Sequence, residues 1–428
     1  MAILIVFIVM FLLMFLGMDI FISMAVAGSA YLLATANGPI TMISNSMVNG
    51  LSNMSLLAIP FFILVGELMN ISGMTDRTLK FALFFIGKIK GGLAHACIVV
   101  NVIFSFVSGS GPADAAAISP VMLPIMKEEG YPEDFSAATN AAGAVLGPII
   151  PPGIPMVFLA LITNLSIGRL FLGAIIPGFI MAAFMGLVVA FKVRNMDLKP
   201  RVYTRTWKLF WAVLYESSLS LLAPIIIIAG VFTGIATITE VAILATAYVL
   251  FIGFFVYKTI KLKDMFDIFK KTALFSGTIM ALFAVAGIFS YLIAVEGLGQ
   301  MLVKLVLQYD LSIFSFLLII NIFFLFLGMI MDAIPAMLIF GPLLLPIATK
   351  LGIDPTHFGM VMISNLMIGL LTPPVGGLLF IEAKISGLSF ERVAKASLPF
   401  VGALLIALLL ITYIPWTVTY IPNLVFGG

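Results

Sequence analysis

Residues 92–127 read GLAHACIVVNVIFSFVSGSGPADAAAISPVMLPIMK. The stretch is apolar almost throughout, yet as one α-helix it would run roughly 50 Å, well past a ~30 Å hydrocarbon core. Its centre, Ser108-Gly109-Ser110-Gly111-Pro112, ends one helix and begins another. Glycine accepts the backbone turn at a helix end, and proline fits a first helical turn but not an interior. The pattern predicts a re-entrant helical hairpin over 92–127 with its tip at mid-membrane.

The same plan recurs downstream. Residues 312–349 repeat it around Leu327-Gly328-Met329-Ile330-Met331-Asp332, with only Gly328 and Pro335 as punctuation. Each hairpin is followed by a helix with a break: Gly147-Pro148-Ile149-Ile150-Pro151-Pro152-Gly153 within 131–165, and Gly369-Leu370-Leu371-Thr372-Pro373-Pro374 within 354–382. Pro342 and Pro346 lie 222 residues after Pro120 and Pro124, as do Gly352 after Gly130, Gly369 after Gly147, Pro373-Pro374 after Pro151-Pro152 and Pro399 after Pro177. Leu388-Ser389 and Arg392 follow Leu165-Ser166 and Arg169 at one residue more. So many landmarks in order at one offset predict an internal repeat, 1–205 and 206–428. Each half is read as scaffold spans, an arm helix (75–90 and 295–310), a hairpin and a broken helix.

Outside these regions the chain is lipid-like. Of 428 residues, 62% are hydrophobic and 10% charged, and the mean hydropathy is +1.24. A soluble protein is about 25% charged and 45–50% apolar, so the solvent for this surface is the bilayer. Apolar stretches with at most one charged residue each place spans near 2–16, 20–36, 53–72, 170–191, 216–233, 238–257, 272–294 and 397–420. The first is expected to be a retained span rather than a signal peptide, since no basic leader precedes it. The fold class expected is an all-α polytopic membrane protein. A net charge of +3 without a basic patch argues against nucleic acid. The single cysteine, Cys97, excludes an internal disulfide.

Nineteen of the 22 Lys/Arg fall in 67–90, 192–208, 258–271, 382–395 and at Lys127. Cytoplasmic loops carry that excess, which puts the 192–208 and 258–271 loops inside and both termini outside. With five crossings per half, the second repeat is inverted relative to the first. Inverted repeats with broken helices mark secondary transporters, whose sites lie at the repeat interface.

The breaks suggest chemistry. Unpaired carbonyls within lipid cost several kcal/mol each, and a bound cation satisfies them. Incoming half-helices end partially negative, while outgoing ones, beginning near Pro112 and Pro152, start partially positive and suit an anion. Carbonyls with Ser or Thr hydroxyls suit sodium better than a multivalent ion. Asp114 and Asp332 are the carboxylates within these two regions. An intramembrane carboxylate is a functional candidate, and helix capping is the alternative role. Thr139, Asn140, Ser364 and Asn365 occupy the first halves of the broken helices, placed either for substrate contact or for helix–helix hydrogen bonds. The substrate candidates are Ser110, Asn140, Pro152, Asn365 and Pro373.

The run from Ser105 to Pro155, with LGMIMDAIPAMLIFGPLLLP (327–346) and NLMIGLLTPPVGGLLF (365–380), resembles the large membrane subunit of tripartite ATP-independent periplasmic (TRAP) transporters, and looks close to those of sialic-acid systems. The resemblance covers essentially the whole chain. It implies an elevator: a domain bearing hairpins and broken helices moves against a fixed scaffold. It implies one sodium near Ser108, Gly109, Gly147 and Pro151 and another near Gly328, Met331, Gly369 and Thr372, with Asp114 and Asp332 matching carboxylates tied to family function. No cofactor beyond the coupling Na+ is implied. The partners implied are a small four-span membrane subunit, a periplasmic binding protein and a small anionic substrate such as N-acetylneuraminate, a C4-dicarboxylate or another organic acid. The location implied is the bacterial inner membrane.

Three rival classes compare poorly. An intramembrane hydrolase would pair Ser110 with His95, but the two are expected on opposite stretches of the antiparallel hairpin, with His95 near the membrane surface. An ATP-driven pump lacks a phosphate loop: the only Gly-Lys pair is Gly87-Lys88, and Ala82 stands where glycine is needed. A passive channel fits paired breaks less well than alternating access does.

Overall fold

The computed structural model describes residues 2–35, 41–84, 91–198, 206–233, 236–308 and 311–427, and among them every regular element is a helix. The end of the first expected arm helix (85–90), residues 309–310 of the second, and 199–205 of the basic 192–208 loop lie outside the described residues.

The first half contains Ala2–Phe15, Ile20–Thr35, a short helix Thr41–Leu51, Ala58–Ile71 and the arm Met74–Phe84. The first hairpin follows as Gly92–Ser108 and Gly111–Glu128, then the broken helix Glu133–Ala144 and Ile154–Thr163, then Ile167–Val193. The second half contains Trp207–Thr233, Ile238–Phe251 with a π-helical extension Ile252–Val256, Leu262–Val295 and the arm Leu298–Gln308. The second hairpin is Ile313–Ile330 and Ala333–Lys350, the second broken helix Pro355–Gly369 and Gly377–Ser386, and the chain closes with Phe390–Tyr413 and Trp416–Phe426. Gly111–Glu128 and Ala333–Lys350 begin and end 222 residues apart, and Pro355 opens its helix 222 residues after Glu133. Both tandem-proline bonds, Pro151-Pro152 and Pro373-Pro374, are cis.

Among the described residues, seven helices are long and apolar enough to cross a membrane, including Ile167–Val193, Leu262–Val295 and both arms of the second hairpin. Their outward faces carry large apolar side chains such as Phe191, Ile322 and Phe326, the surface expected where lipid replaces water. Trp207 and Trp211 are also exposed, at the edge of their helix, where amphipathic rings suit the interface.

Local chemistry explains several ends. Asp354 caps Pro355–Gly369 by accepting from the His357 amide at 2.9 Å, with Pro355 at the first helical position. Thr237 and Glu240 form a reciprocal capping box at Ile238–Phe251, which accounts for a glutamate beside a span. Pro415 separates Phe390–Tyr413 from Trp416–Phe426, so the expected single span 397–420 is two helices. The expected span 272–294 is the apolar part of a 34-residue helix whose first turns are charged. Charge-free windows see only the apolar part. The helix Thr41–Leu51, rich in Ser and Asn, was not anticipated. It crosses Leu262–Val295 on two glycines: a Cβ at Gly50 would strike the Phe283 carbonyl, and one at Gly287 the Ser46 carbonyl.

Buried apolar side chains form two clusters. The larger holds both hairpins, both broken helices, Ile167–Val193 and Phe390–Tyr413 together with the first two helices. The smaller joins Ala58–Ile71 to Trp207–Thr233 and Ile238–Phe251 through Val65, Leu68, Ala223, Val241 and Ala245. Leu262–Val295 reaches both, with Ile268 in the small cluster and Ile279 to Leu292 in the large one.

Candidate functional site

At the first tip, Gly109 adopts a left-handed φ of 62° and Ser110 is extended. The tip is stitched to the break in the following helix. The Ile154 amide donates to the Gly109 carbonyl at 3.2 Å, and a Cβ at Gly109 would collide with the Pro152 carbonyl, so glycine is needed for approach as well as for φ. Ser108 Oγ donates to Asp114 Oδ1 and accepts from the Ser110 amide at 3.2 Å. Asp114, one turn into the outgoing helix, is fully buried. Its other oxygen, Oδ2, makes no hydrogen bond. Gly147 packs directly on that oxygen, where a side chain would overlap it. Pro151 and Pro152 are buried behind this tip.

The second tip has different chemistry. Gly328 and Gly369 meet backbone to backbone, with no room for a Cβ on Gly369. Met331 is extended and buried. Asp332 begins the outgoing helix without capping it through its side chain, and it is exposed where it lines a cavity. Thr372 Oγ1 donates back to the Ile368 carbonyl at 2.8 Å, Pro373 is half-buried beside it, and the outgoing half-helix hooks on through the Leu378 amide to the Leu370 carbonyl at 3.1 Å. At the offset of 222 residues, Asp332 corresponds to Ser110 and Asp114 to Ala336. The two carboxylates therefore do not match at that offset.

Both tips open onto one cavity of about 950 Å³. Ser108, Gly109, Ser110, Gly328, Met331 and Asp332 line it, with Pro148 and Gly376 from the two breaks. Glu67 and Asn70 of Ala58–Ile71 and Lys271 and Thr278 of Leu262–Val295 face them. Lys271 is the one cation among the described lining residues, and its Nζ lies 3.9 Å from a Glu67 carboxylate oxygen. Asn140 and Asn365 are fully buried and engaged elsewhere: Asn365 Nδ2 donates to Asn321 Oδ1 and to the Val361 carbonyl, each at 2.7 Å.

The model of the DctM component of tripartite ATP-independent periplasmic transporters matches residues 7–417. The chain belongs to the DctM family. The sialic acid TRAP transporter large permease protein SiaM of Vibrio cholerae is 36% identical over 417 residues, covering 97% of each chain. The C4-dicarboxylate TRAP transporter large permease protein DctM of the same species is 34% identical over 450 residues, covering 100% of this chain and 99% of its own. The isethionate TRAP transporter permease protein DctMQ of Oleidesulfovibrio alaskensis is 35% identical over 399 residues, 93% of this chain and 63% of that longer protein. In fold, the chain resembles the YdaH transporter of Alcanivorax borkumensis, with a TM-score of 0.62, 14% identity, and coverage of 88% of this chain and 87% of that one. The MtrF structure of Neisseria gonorrhoeae gives 0.60 at 13% identity, covering 87% and 83%. This DctM-family chain is thus a multi-pass membrane transport permease and not an enzyme. His95 lies near the start of the Gly92–Ser108 helix, roughly 20 Å along it from the tip serines at 1.5 Å per residue, so it cannot serve as a base for Ser110.

The permease holds one carboxylate that sequence reasoning missed. Glu382 was grouped with the charged flank 382–395, because the second broken helix was ended at that residue. The helix runs on to Ser386, and Glu382 is fully buried. Ser119 Oγ lies 2.6 and 2.7 Å from its two oxygens, and Asn140 Nδ2 donates to Oε1 at 2.7 Å. The only hint in the sequence was its position between Leu378-Leu379 and Ala383, on the apolar side of a short helix.

Proposed function

We propose that this permease imports an organic anion, sialic acid first among candidates, driven by a sodium gradient and working with a small four-span membrane subunit and a periplasmic binding protein in the bacterial inner membrane. The observation that carries the reading is the convergence of both tips and both helix breaks on one chamber, with an unsatisfied buried carboxylate oxygen at Asp114. A bare buried oxygen is costly. Asp114 Oδ2, the Ser108 hydroxyl and the carbonyls of the tip and of the Gly147 break make an oxygen-rich set fit for a hard monovalent cation. At the second tip, carbonyls around Gly328, Met331 and Gly369 and the Thr372 hydroxyl would serve a second ion, with Asp332 beside the anion's path. The names of relatives favour sialic acid through the SiaM likeness, and a C4-dicarboxylate or another organic acid is the alternative.

An elevator between two inverted repeats, 1–205 and 206–428, draws support from the small cluster of Ala58–Ile71, Trp207–Thr233 and Ile238–Phe251, which packs apart from the larger one that joins hairpins and broken helices to the first two helices and most of Leu262–Val295. Helix boundaries recurring at one offset support the repeat, and the basic loops support cytoplasmic 192–208 and 258–271 with external termini. Each net charge moved through 100 mV yields about 2.3 kcal/mol, so more sodium ions than substrate charges drive uphill uptake. Ion binding orders the tips and completes the anion site. Reconstitution into proteoliposomes with the partner proteins tests the scheme: uptake requires an inward sodium gradient, and full uptake without one rejects sodium coupling.

A further inference from the structure

Glu382 is tied to the first repeat by a chain of hydrogen bonds with no cation in it. Ser119, on Gly111–Glu128, donates to the carboxylate. Asn140, on Glu133–Ala144, donates both to Glu382 Oε1 and to Ser119 Oγ, each at 2.7 Å. Asn140 Oδ1 in turn accepts from Asn101 Nδ2 at 2.9 Å, and Cys97 Sγ lies 3.4 Å from it, both on Gly92–Ser108. Three helices of the first half are therefore joined through one side chain of the second. All of these groups are fully buried. A buried carboxylate is expensive to maintain with neutral donors alone, and a well-packed apolar residue would hold the same helices together at lower cost.

The position of the network suggests its use. Ser119 follows Asp114 on one continuous helix, so a change at Asp114 is carried to Ser119 by a rigid rod. Glu382 stands next to Ile381, which lines the chamber with Leu378 and Gly377 on the same short helix. We propose that Glu382 is a positioning residue: a hydrogen-bonded latch that makes the first hairpin and the outgoing half of the second broken helix move together, so that cation occupancy at Asp114 sets the chamber wall against the anion. The inference rests on the reading of Asp114 as a cation ligand and of the chamber as the anion's place. It adds a defined physical link between them, as a coupling claim requires.

The experiment is sodium-dependent uptake by the complete reconstituted transporter, with the permease unsubstituted or carrying Glu382→Ala, Glu382→Gln or Ser119→Ala. The amide oxygen of glutamine accepts from both Ser119 and Asn140, so Glu382→Gln keeps half-saturating sodium within a few-fold of the unsubstituted protein. Glu382→Ala and Ser119→Ala each raise half-saturating sodium about tenfold, a typical size for coupling between sites. A merely structural role would lower the yield or thermal stability of folded transporter and leave the sodium dependence per folded molecule alone. Unchanged half-saturation in Glu382→Ala overturns the latch, as does a Glu382→Gln variant as impaired as the alanine. If Glu382→Ala does not fold, Ser119→Ala decides by the same criterion. Sodium-independent uptake by the unsubstituted protein would instead overturn the underlying cation reading, and the latch with it.

Discussion

Gly147 lies flush against the carboxylate of Asp114: a Cβ on the glycine would occupy the position of Oδ2, the oxygen that makes no hydrogen bond. The contact joins the break of the first broken helix to the outgoing arm of the first hairpin. Gly147→Ala is expected to abolish sodium-stimulated uptake, since the methyl group takes the space beside the orphan oxygen. Over-packing of this kind costs about 1–3 kcal/mol. Thermal unfolding in detergent should therefore show a modest loss beside a near-complete loss of uptake. Uptake at the unsubstituted level would detach this contact from transport.

The two tip carboxylates should answer differently to removal. Asp332 lines the cavity at the start of its helix, so Asp332→Ala lowers uptake at a smaller cost in thermal stability than Asp114→Ala. Asp114 is buried and accepts from Ser108, so Asp114→Ala lowers uptake and also weakens the tip. Both variants are expected to co-purify with the small subunit. Normal uptake in both would remove these carboxylates from the mechanism.

Lys271 is the cation that an anion in the chamber would meet, and its partner Glu67 holds it only loosely at 3.9 Å. Such an exposed pair is worth no more than about 1 kcal/mol, so exchange of Glu67 for a substrate carboxylate is easy. Lys271→Gln should raise the KM for the anion several-fold with kcat nearly unchanged, the signature of lost ground-state attraction. Glu67→Gln, which frees the lysine, should shift KM the opposite way. Equal KM values across the three proteins would show that the lysine is a bystander.

The crossing of Thr41–Leu51 over Leu262–Val295 depends on Gly50 and Gly287. Either glycine replaced by valine forces the helices apart, so thermal unfolding moves to lower temperature by an amount reflecting about 1–3 kcal/mol. Gly277, which has open space around the position of a Cβ, is the control: Gly277→Ala on the same helix should leave the transition in place or raise it slightly.

What could be read from the chain alone follows from how each feature is encoded. Gly109, Gly147 and the tandem prolines specify backbone geometry directly, so the hairpins and breaks were visible as local chemistry. The second tip has only Gly328 and Pro335, and it was placed mainly by its likeness to the first. Side-chain partnerships across the fold carry no such mark. Asn140, a polar residue in an apolar helix, reads equally as a substrate contact or a helix–helix hydrogen bond, and in the structure its amide is engaged by Ser119, Asn101 and Glu382. Glu382 looked like the start of a charged flank, because a lone carboxylate at a hydropathy boundary is ambiguous until its helix is oriented. Thr41–Leu51 was overlooked for a related reason: its serines and asparagines blur the apolar pattern, while the glycines that seat it act only through a distant helix.

The carboxylates of the two tips differ by one helical turn, Asp114 within the outgoing arm and Asp332 at its very start. A duplicated machine with matching halves would treat its two ends as interchangeable. Here one acid is sealed in the protein interior and the other faces the chamber, so the two ions proposed for the tips would exchange at unequal speeds. The sequence in which cargo is taken on at one face of the membrane then need not be the reverse of its discharge at the other.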